Sequence, residues 1–342
     1  MRNANSHVNV DKGEPHVTTE PRKFRFAAGG AGNADEGGAR KFVKLAQEAE
    51  ELGFDTFAIP DRLDPQVGPL AALGALAVST DKIRLATSML AMPFRHPAVL
   101  AKELTTIDVL SKGRLEIGLG LGAFKEDFDQ SGIQFESPAR RIQRLDEGLT
   151  VLDGLLRGQE VEYAGEIFQV SALKGYPRPR QGPRPPIAIG AGSRRTLELA
   201  ARRADVVSIN PRSSAEGKLK ISDMSMDAVK KKVEFVKATA GERFAEIELS
   251  WSIATIVVTD DREQVADYAL KAIERGLSAQ IEVDKEVTMD DVLNSPYLAI
   301  GTFDEIADQV RATRAATGMS YVGVVPTQME AFAPVIEQLK GE

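Results

Sequence analysis

The 342-residue sequence predicts an α/β fold, a (β/α)8 TIM barrel with loop insertions, and three observations carry that expectation. Short apolar runs alternate with longer amphipathic ones from residue 23 onward, the pattern of strand–helix units around a parallel sheet. The alternation yields about eight such units, the number a closed barrel requires. No second composition regime interrupts it, so residues 23–342 read as one domain behind a polar tail at 1–22.

The first apolar run is Phe24–Ala28. Phe42, Leu45, Ala46, Ala49 and Leu52 recur at helical spacing and predict a helix near Glu36–Leu52, which Gly53 ends. Phe54–Ile59 is the second strand and Ile83–Leu90 the third. A helix follows over Pro97–Leu110, its proline suited to a first helical position. Leu115–Leu119 is the fourth strand, and Phe124–Glu136 reads as a loop before a long helix at Pro138–Leu156. Glu160–Val170 has the form of a hairpin turning at Ala164 and Gly165.

The stretch Gly175–Pro186 is rich in proline and glycine. It could divide two domains or run as a rigid loop within one barrel, and the immediate return of the alternation favours the loop. Ile187–Ile189 is the fifth strand, with a helix over Arg194–Arg203. Val206–Ile209 is the sixth, with a helix over Met226–Ala240, and Ile247–Val258 covers the seventh, with a helix over Arg262–Arg275. Residues 277–300 read as an irregular insertion. Thr302–Thr317, Tyr321–Val325 and Gln328–Leu339 complete the series.

Composition excludes several chemistries. The chain has no cysteine, which removes disulfides, thiolate catalysis and thiolate metal sites. Its histidines are His7, His16 and His96, two of them in the tail, so no metal centre built on histidine is expected. A formal net charge of −7 gives no electrostatic reason to bind nucleic acid or an anionic membrane. No run approaches the roughly 20 apolar residues of a membrane helix. The tail lacks the apolar core of a signal peptide, which makes the cytoplasm the default compartment and a small molecule the expected partner.

A barrel carries its chemistry on the loops that follow its strands. Gly118–Ala123 has the spacing G-x-G-x-x-A after the fourth strand. A dinucleotide-binding turn belongs at a first strand and opens a helix, so the better reading is a flat, side-chain-free wall for a planar ring. Tight barrel packing explains the same glycines. Gly190, Ala191, Gly192, Ser193 and Arg194 join a strand to a helix, where backbone N–H groups, a hydroxyl and a cation can hold a phosphate. Ser193 as a simple N-cap is the plainer alternative. Asp61 and Arg62 end the second strand and could serve a cofactor or merely pair with neighbours. His96 could act as an acid or cap a helix, and Lys125 stands beside Glu126, Asp127 and Asp129. No P-loop, nucleophile elbow or HExxH motif occurs.

Four segments resemble the luciferase-like flavin- and F420-dependent oxidoreductases: ELGFDTFAIPDRL at 51–63, the long block at 83–122, IAIGAGSRRTLELAARRAD at 187–205 and GTFDEIADQVRATRAATG at 301–318. The actinobacterial F420-dependent branch is the most similar. The resemblance implies a cofactor ring at the C-terminal rim, a non-proline cis peptide at Ser88–Met89 behind it, and ring contacts from Asp61, Leu121 and Gly122. It implies a phosphate site at Gly190–Arg194, with coenzyme F420 as cofactor and FMN as the alternative. Sugar-phosphate dehydrogenases of this group carry a histidine and a glutamate where this chain has Arg62 and Ala123. Sugar-phosphate oxidation is therefore not expected, and Arg62, His96 and Lys125 are the candidate proton donors. The alternatives are an FMN-dependent monooxygenase, a doubly wound NAD(P) dehydrogenase built on the Gly118 motif, and a barrel that binds cofactor without turnover. Relatives often dimerise, which leaves a homodimer open.

Overall fold

The computed structural model describes residues 21–30, 38–214, 218–277 and 281–342. Eight strand positions follow one another in chain order: β1 Arg25–Gly29, β2 Thr56–Ile59, β3 Arg84–Thr87 (resumed at Leu90–Ala91), β4 Leu115–Gly120, β5 Ile187–Ala191, β6 Val206–Ile209, β7 Glu248–Ile253 and β8 Tyr321–Val324. Every adjacent pair is parallel, and β3 pairs with β4 to close the ring, so the fold is a (β/α)8 barrel. Among the described residues no helix is long and apolar enough to cross a membrane.

Helix starts are chemically marked. Ser137, Ser193, Ser225 and Thr302 each accept a backbone N–H from the first turn of the helices Pro138–Leu156, Arg194–Arg203, Met226–Ala240 and Phe303–Thr317. The Gly175–Pro186 segment passes between β4 and β5, neighbours in one sheet. It contains two cis prolines, after Tyr176 and Gly182. Polar ties hold it under the strands: Arg184 pairs with Asp153 at 2.6 Å and Asp205 at 2.5 Å, and Gln181 donates to Asp108 at 2.7 Å.

Several elements depart from the sequence expectation. A helix at Pro69–Ser79 was not anticipated; its run PLAALGALAVS is apolar on every side and so carries no helical stripe. Lys125–Ser131 is a short helix within the expected loop. The third strand is interrupted at Ser88–Met89, and the hairpin's second strand runs on to Lys174. Ile247–Val258 is two strands, because the chain leaves the barrel at Ala254 and Thr255–Val258 pairs outside it with Leu298–Gly301. The insertion at 277–300 thus supplies a strand and the helix Met289–Leu293. The start expected for the first helix, at Glu36, and residues 1–20 lie outside the described residues. Arg22 donates to the Ala245 carbonyl at 2.9 Å.

Strand alternation divides the barrel into two environments. Outward residues such as Phe26, Phe57, Leu85, Ile117, Ile189, Val207, Trp251 and Val322 meet the helices and form the main core. The inward rows are small or charged. Ala27, Ala188, Val206 and Tyr321 form a separate inner cluster, and an ionic network lies at the base. Glu116 is its hub. Its carboxylate takes Arg25, Arg84 at 2.5 Å and the Tyr321 hydroxyl at 3.1 Å, tying β4 to β1, β3 and β8. Arg25 also binds Glu248 on β7 at 2.7 Å, and burial pushes the Glu248 carboxyl up although Arg25 pulls it back.

Replacing Glu116 with glutamine leaves two arginines facing a neutral amide inside the barrel. Loss of one partner of a buried ion pair costs about 3–5 kcal/mol, and both arginine side chains remain about a quarter exposed, which places the expected loss near 2–3 kcal/mol. Urea unfolding followed by circular dichroism measures it; an unchanged midpoint would remove the network's structural role.

Candidate active site at the barrel mouth

The site begins where β3 stops behaving as a strand. Thr87 lies against Gly118 of β4, and its hydroxyl donates to the Gly118 carbonyl at 2.8 Å while accepting the Gly118 N–H at 2.9 Å. A side chain thereby completes the ladder that the backbone abandons. A Cβ on Gly118 would collide with the Thr87 carbonyl oxygen and lie 2.6 Å from the Met89 sulfur. The next peptide, Ser88–Met89, is cis. Ser88 is exposed at the mouth, while the Met89 side chain turns inward past Gly118, Gly120 and Gly190.

Behind this bulge stands Asp61, its side chain 2% exposed. It accepts the Ala91 N–H at 2.9 Å and both arms of Arg95, at 2.5 and 2.8 Å. Both carboxylate oxygens are thus engaged with the chain itself, so Asp61 braces the bulge. Arg95 was not singled out in the sequence; its only signal is its place one turn after the third strand.

Beyond β4, Leu121 and Gly122 form the next stretch of wall. Gly122 has φ +77, and a Cβ there would come within 2.6 Å of the Phe128 ring. Its carbonyl accepts from Arg141, which lies over Phe135, and Phe128 packs between Phe94 and Phe135. Arg62 stacks on the Phe124 ring at 3.5 Å and binds buried Asp127 at 2.7 Å. Lys125 binds Asp129 at 2.6 Å in an exposed pair. His96 accepts the Ala98 N–H at 3.2 Å as the cap of its helix and sits edge-on to Phe168. The three candidate proton donors therefore have separate partners, and no contact joins them among those described.

After β5, Gly190 and Gly192 allow β6 to come close. Cβ atoms there would meet the Asn210 carboxamide at 3.2 Å and the Pro211 carbonyl at 2.9 Å. Ser193 caps the helix Arg194–Arg203 in a reciprocal pair with Thr196, so the plain N-cap is present alongside the free N–H groups of the first turn. Arg194 lies over Phe235 and Arg195 is exposed. Sequence reasoning missed Asn210 and Ser252. Asn210 directly follows a recognised strand, and that position was its signal. Buried Lys232 holds its backbone from below, donating to the Asn210 carbonyl at 2.6 Å and to Asp223. Burial lowers the pKa of that ammonium despite Asp223.

Residues 23–321 match the family described as luciferase-like monooxygenase. An F420-dependent glucose-6-phosphate dehydrogenase of Microbacterium testaceum is 32% identical over 55% of this chain and 56% of its own length, so the chain spans little more than half of that relative. A protein of the same name from Nakamurella multipartita is 27% identical over 87% of this chain and 84% of its own. Among solved structures, the F420-dependent tetrahydromethanopterin reductase of Methanopyrus kandleri superposes with a TM-score of 0.70 at 21% identity, covering 93% of this chain and 98% of that one. The monooxygenase RslO1 from Streptomyces bottropensis does so with 0.70 at 22%, over 92% and 99%. At these identities the two structures speak for the fold alone.

Because Gly118 sits under the bulge with no space for a methyl group, Gly118→Ala is expected to cost about 3 kcal/mol, the upper end of what overpacking a core usually costs. Chemical denaturation reads the loss. A variant as stable as the wild type would mean that the third strand can move away from β4.

Proposed function

The chain belongs to the luciferase-like monooxygenase family, and from that premise we propose that it is an F420-dependent oxidoreductase acting on a small organic substrate. The observation that carries this reading is the side-chain-free wall at the glycine-lined end of β4, beside the break in the third strand where Ser88 is exposed at the mouth. The same cofactor in the names of its curated relatives supports it. FMN is the competing occupant.

The residues present fit a flat, phosphorylated cofactor. Gly120, Leu121 and Gly122 offer a wall without projecting polar groups, and the Met89 side chain is folded away beneath it. The backbone of Ser88–Met89 would support one face of a ring, with Asp61 and Arg95 keeping that backbone in place. Gly190, Ala191, Gly192, Ser193 and Arg194 would hold the phosphate of the tail through first-turn N–H groups and a guanidinium. The chemistry that such a reduced deazaflavin supplies when bound is a hydride from ring carbon 5. The protein's part is to orient the acceptor and exclude water.

Sugar phosphates fit this mouth poorly. The position expected to hold a histidine is Arg62, neutralised by Asp127 and stacked on Phe124, and the position expected to hold a glutamate is Ala123. Arg62 is better placed to shape the entrance than to transfer a proton. We infer that His96 and Lys125, held in cap and surface pair, act outside the chemistry. His96→Ala and Lys125→Ala should each lower kcat by less than about threefold, well short of the 100-fold or more that loss of a general acid brings.

A homodimer is the assembly we propose. The helix Pro69–Ser79 carries no charged residue, yet Ala71, Gly74, Ala75 and Val78 face outward, with Val78 72% exposed. It packs beside the helix Pro97–Leu110, whose Val99, Val109 and Leu110 are also exposed. An apolar face of this kind marks an interface. Val78→Arg should convert a dimer to a monomer in light scattering; a monomeric wild type would end the proposal.

The cofactor is tested by fluorescence titration of the purified protein with F420 and with FMN. Saturable F420 binding at least tenfold tighter than FMN is expected. The reverse preference would withdraw the F420 assignment and direct the search to oxygen-dependent chemistry.

A further inference from the structure

The inward rows of β6 and β7 end in two polar side chains that the fold leaves without partners. Asn210 continues the row of Val206 and Ser208, and Ser252 continues that of Glu248 and Ser250; Ser208 and Ser250 are matched in register, so Asn210 and Ser252 each stand two residues further toward the mouth on neighbouring strands. Among the described residues neither the Asn210 carboxamide nor the Ser252 hydroxyl makes a hydrogen bond, and neither is a buried unsatisfied group. Ser252 is exposed although its strand neighbours Trp251 and Ile253 are 1% and 3% exposed. An exposed residue on an inward row means that the barrel is open from its mouth down to that layer.

Glycines flank the pair. Gly190 on β5 leaves the Asn210 carboxamide 3.2 Å from where a Cβ would stand, and Gly323 on β8 does the same for the Ser252 hydroxyl at 2.6 Å. Position around the ring is equally specific. In the closed order, β7 lies four strands from β3 in either direction, so Ser252 faces the Ser88–Met89 bulge across the barrel. Asn210 stands between them, its carboxamide beside Met89 where both approach Gly190, so a flat group resting on the β4 wall would have Asn210 at its edge and Ser252 on its far side.

Charge narrows what can lie there. Arg62 is paired with Asp127 and Arg95 with Asp61, while Lys232 and the half-exposed Arg212 share Asp223, so each of these cations near the mouth is already engaged with a carboxylate. Two neutral donors suit an uncharged oxygen, and an anionic acceptor would lose its hydration for weaker partners.

We propose that Asn210 and Ser252 form the acceptor subsite, holding the oxygen of a neutral carbonyl compound by paired hydrogen bonds. This rests on the F420 reading above. The test uses cyclohex-2-en-1-one as the probe with wild type, Asn210→Leu, Asn210→Asp and Ser252→Ala. Affinity of the probe for the complex with oxidised F420, which cannot deliver a hydride, is read from cofactor fluorescence; kcat/KM is read with the reduced cofactor. Each variant should weaken probe binding and lower kcat/KM at least tenfold while F420 affinity stays within twofold, which also reports correct folding. Asn210→Asp keeps the shape and loses the donor, so it should fail like Asn210→Leu. Probe affinity unchanged in the variants, or F420 affinity falling with it, overturns the subsite and leaves the cofactor reading intact. A wild type that binds F420 but not the enone overturns the neutral-carbonyl assignment, and one that does not bind F420 overturns both.

Discussion

The contact between Thr87 and Gly118 is the constraint on which the mouth depends. The third strand can leave the sheet there only because a hydroxyl replaces its backbone in the ladder and the opposing residue has no side chain. Once the strand has left, Ser88 reaches solvent, Met89 turns into the barrel, and the chain resumes pairing at Leu90 and Ala91 with Leu119 and Gly120. Gly120 and Gly190 then have to be small for a second reason, since Met89 passes both. Asp61 secures the return by binding the Ala91 N–H, and both arms of Arg95 hold that carboxylate in place.

The distribution of bulk follows the same logic. A closed barrel is usually filled by layers of branched apolar side chains. Here those residues point outward to the helices, and the inner rows carry Ala27, Ala58, Ala86, Gly118 and Ala188 above a base of charges. The base pairs its charges: Arg25 binds Glu116 and Glu248 and Arg84 binds Glu116, so each of these ions has a partner of opposite sign. Small residues above it keep the barrel open, which is why Ser252 is accessible on an inward row. Stability is placed at the bottom and on the outside, and space is left at the top.

Much of this was legible from residue order. Helices at Pro97–Leu110, Pro138–Leu156, Arg194–Arg203 and Met226–Ala240 have the bounds that their proline or serine starts and apolar spacing indicate. Pattern failed where it carried no period. The helix Pro69–Ser79 is apolar all round, and Ile247–Val258 keeps alternating across the point where the chain leaves one sheet for another. The glycines of β4 were visible, but their partner was not: that Met89 and Thr87 fill the space above Gly118 is a relation between strands that no single segment encodes. The reading of Asp61 and Arg62 as residues that pair with neighbours was available from their sequence, yet the neighbours, Arg95 and Asp127, lie 34 and 65 residues away.

Long-range pairing also explains why the mouth has direction. Cations that approach the rim from β2, β3 and the helix beneath β6 meet carboxylates, Arg62 at Asp127, Arg95 at Asp61, and Lys232 at an Asp223 that it shares with Arg212. At the end of β5 the pattern changes. Arg194 is held by an aromatic face, Arg195 is exposed, and the first turn of their helix adds its own partial positive charge. An anionic group entering the barrel is therefore favoured on this side of the rim, and a ligand with one charged end and one flat, neutral end would be aligned before any specific contact forms. Its charged end would lie on β5, its flat part would extend toward the β3–β4 wall, and the β6–β7 side would stay free for a second molecule.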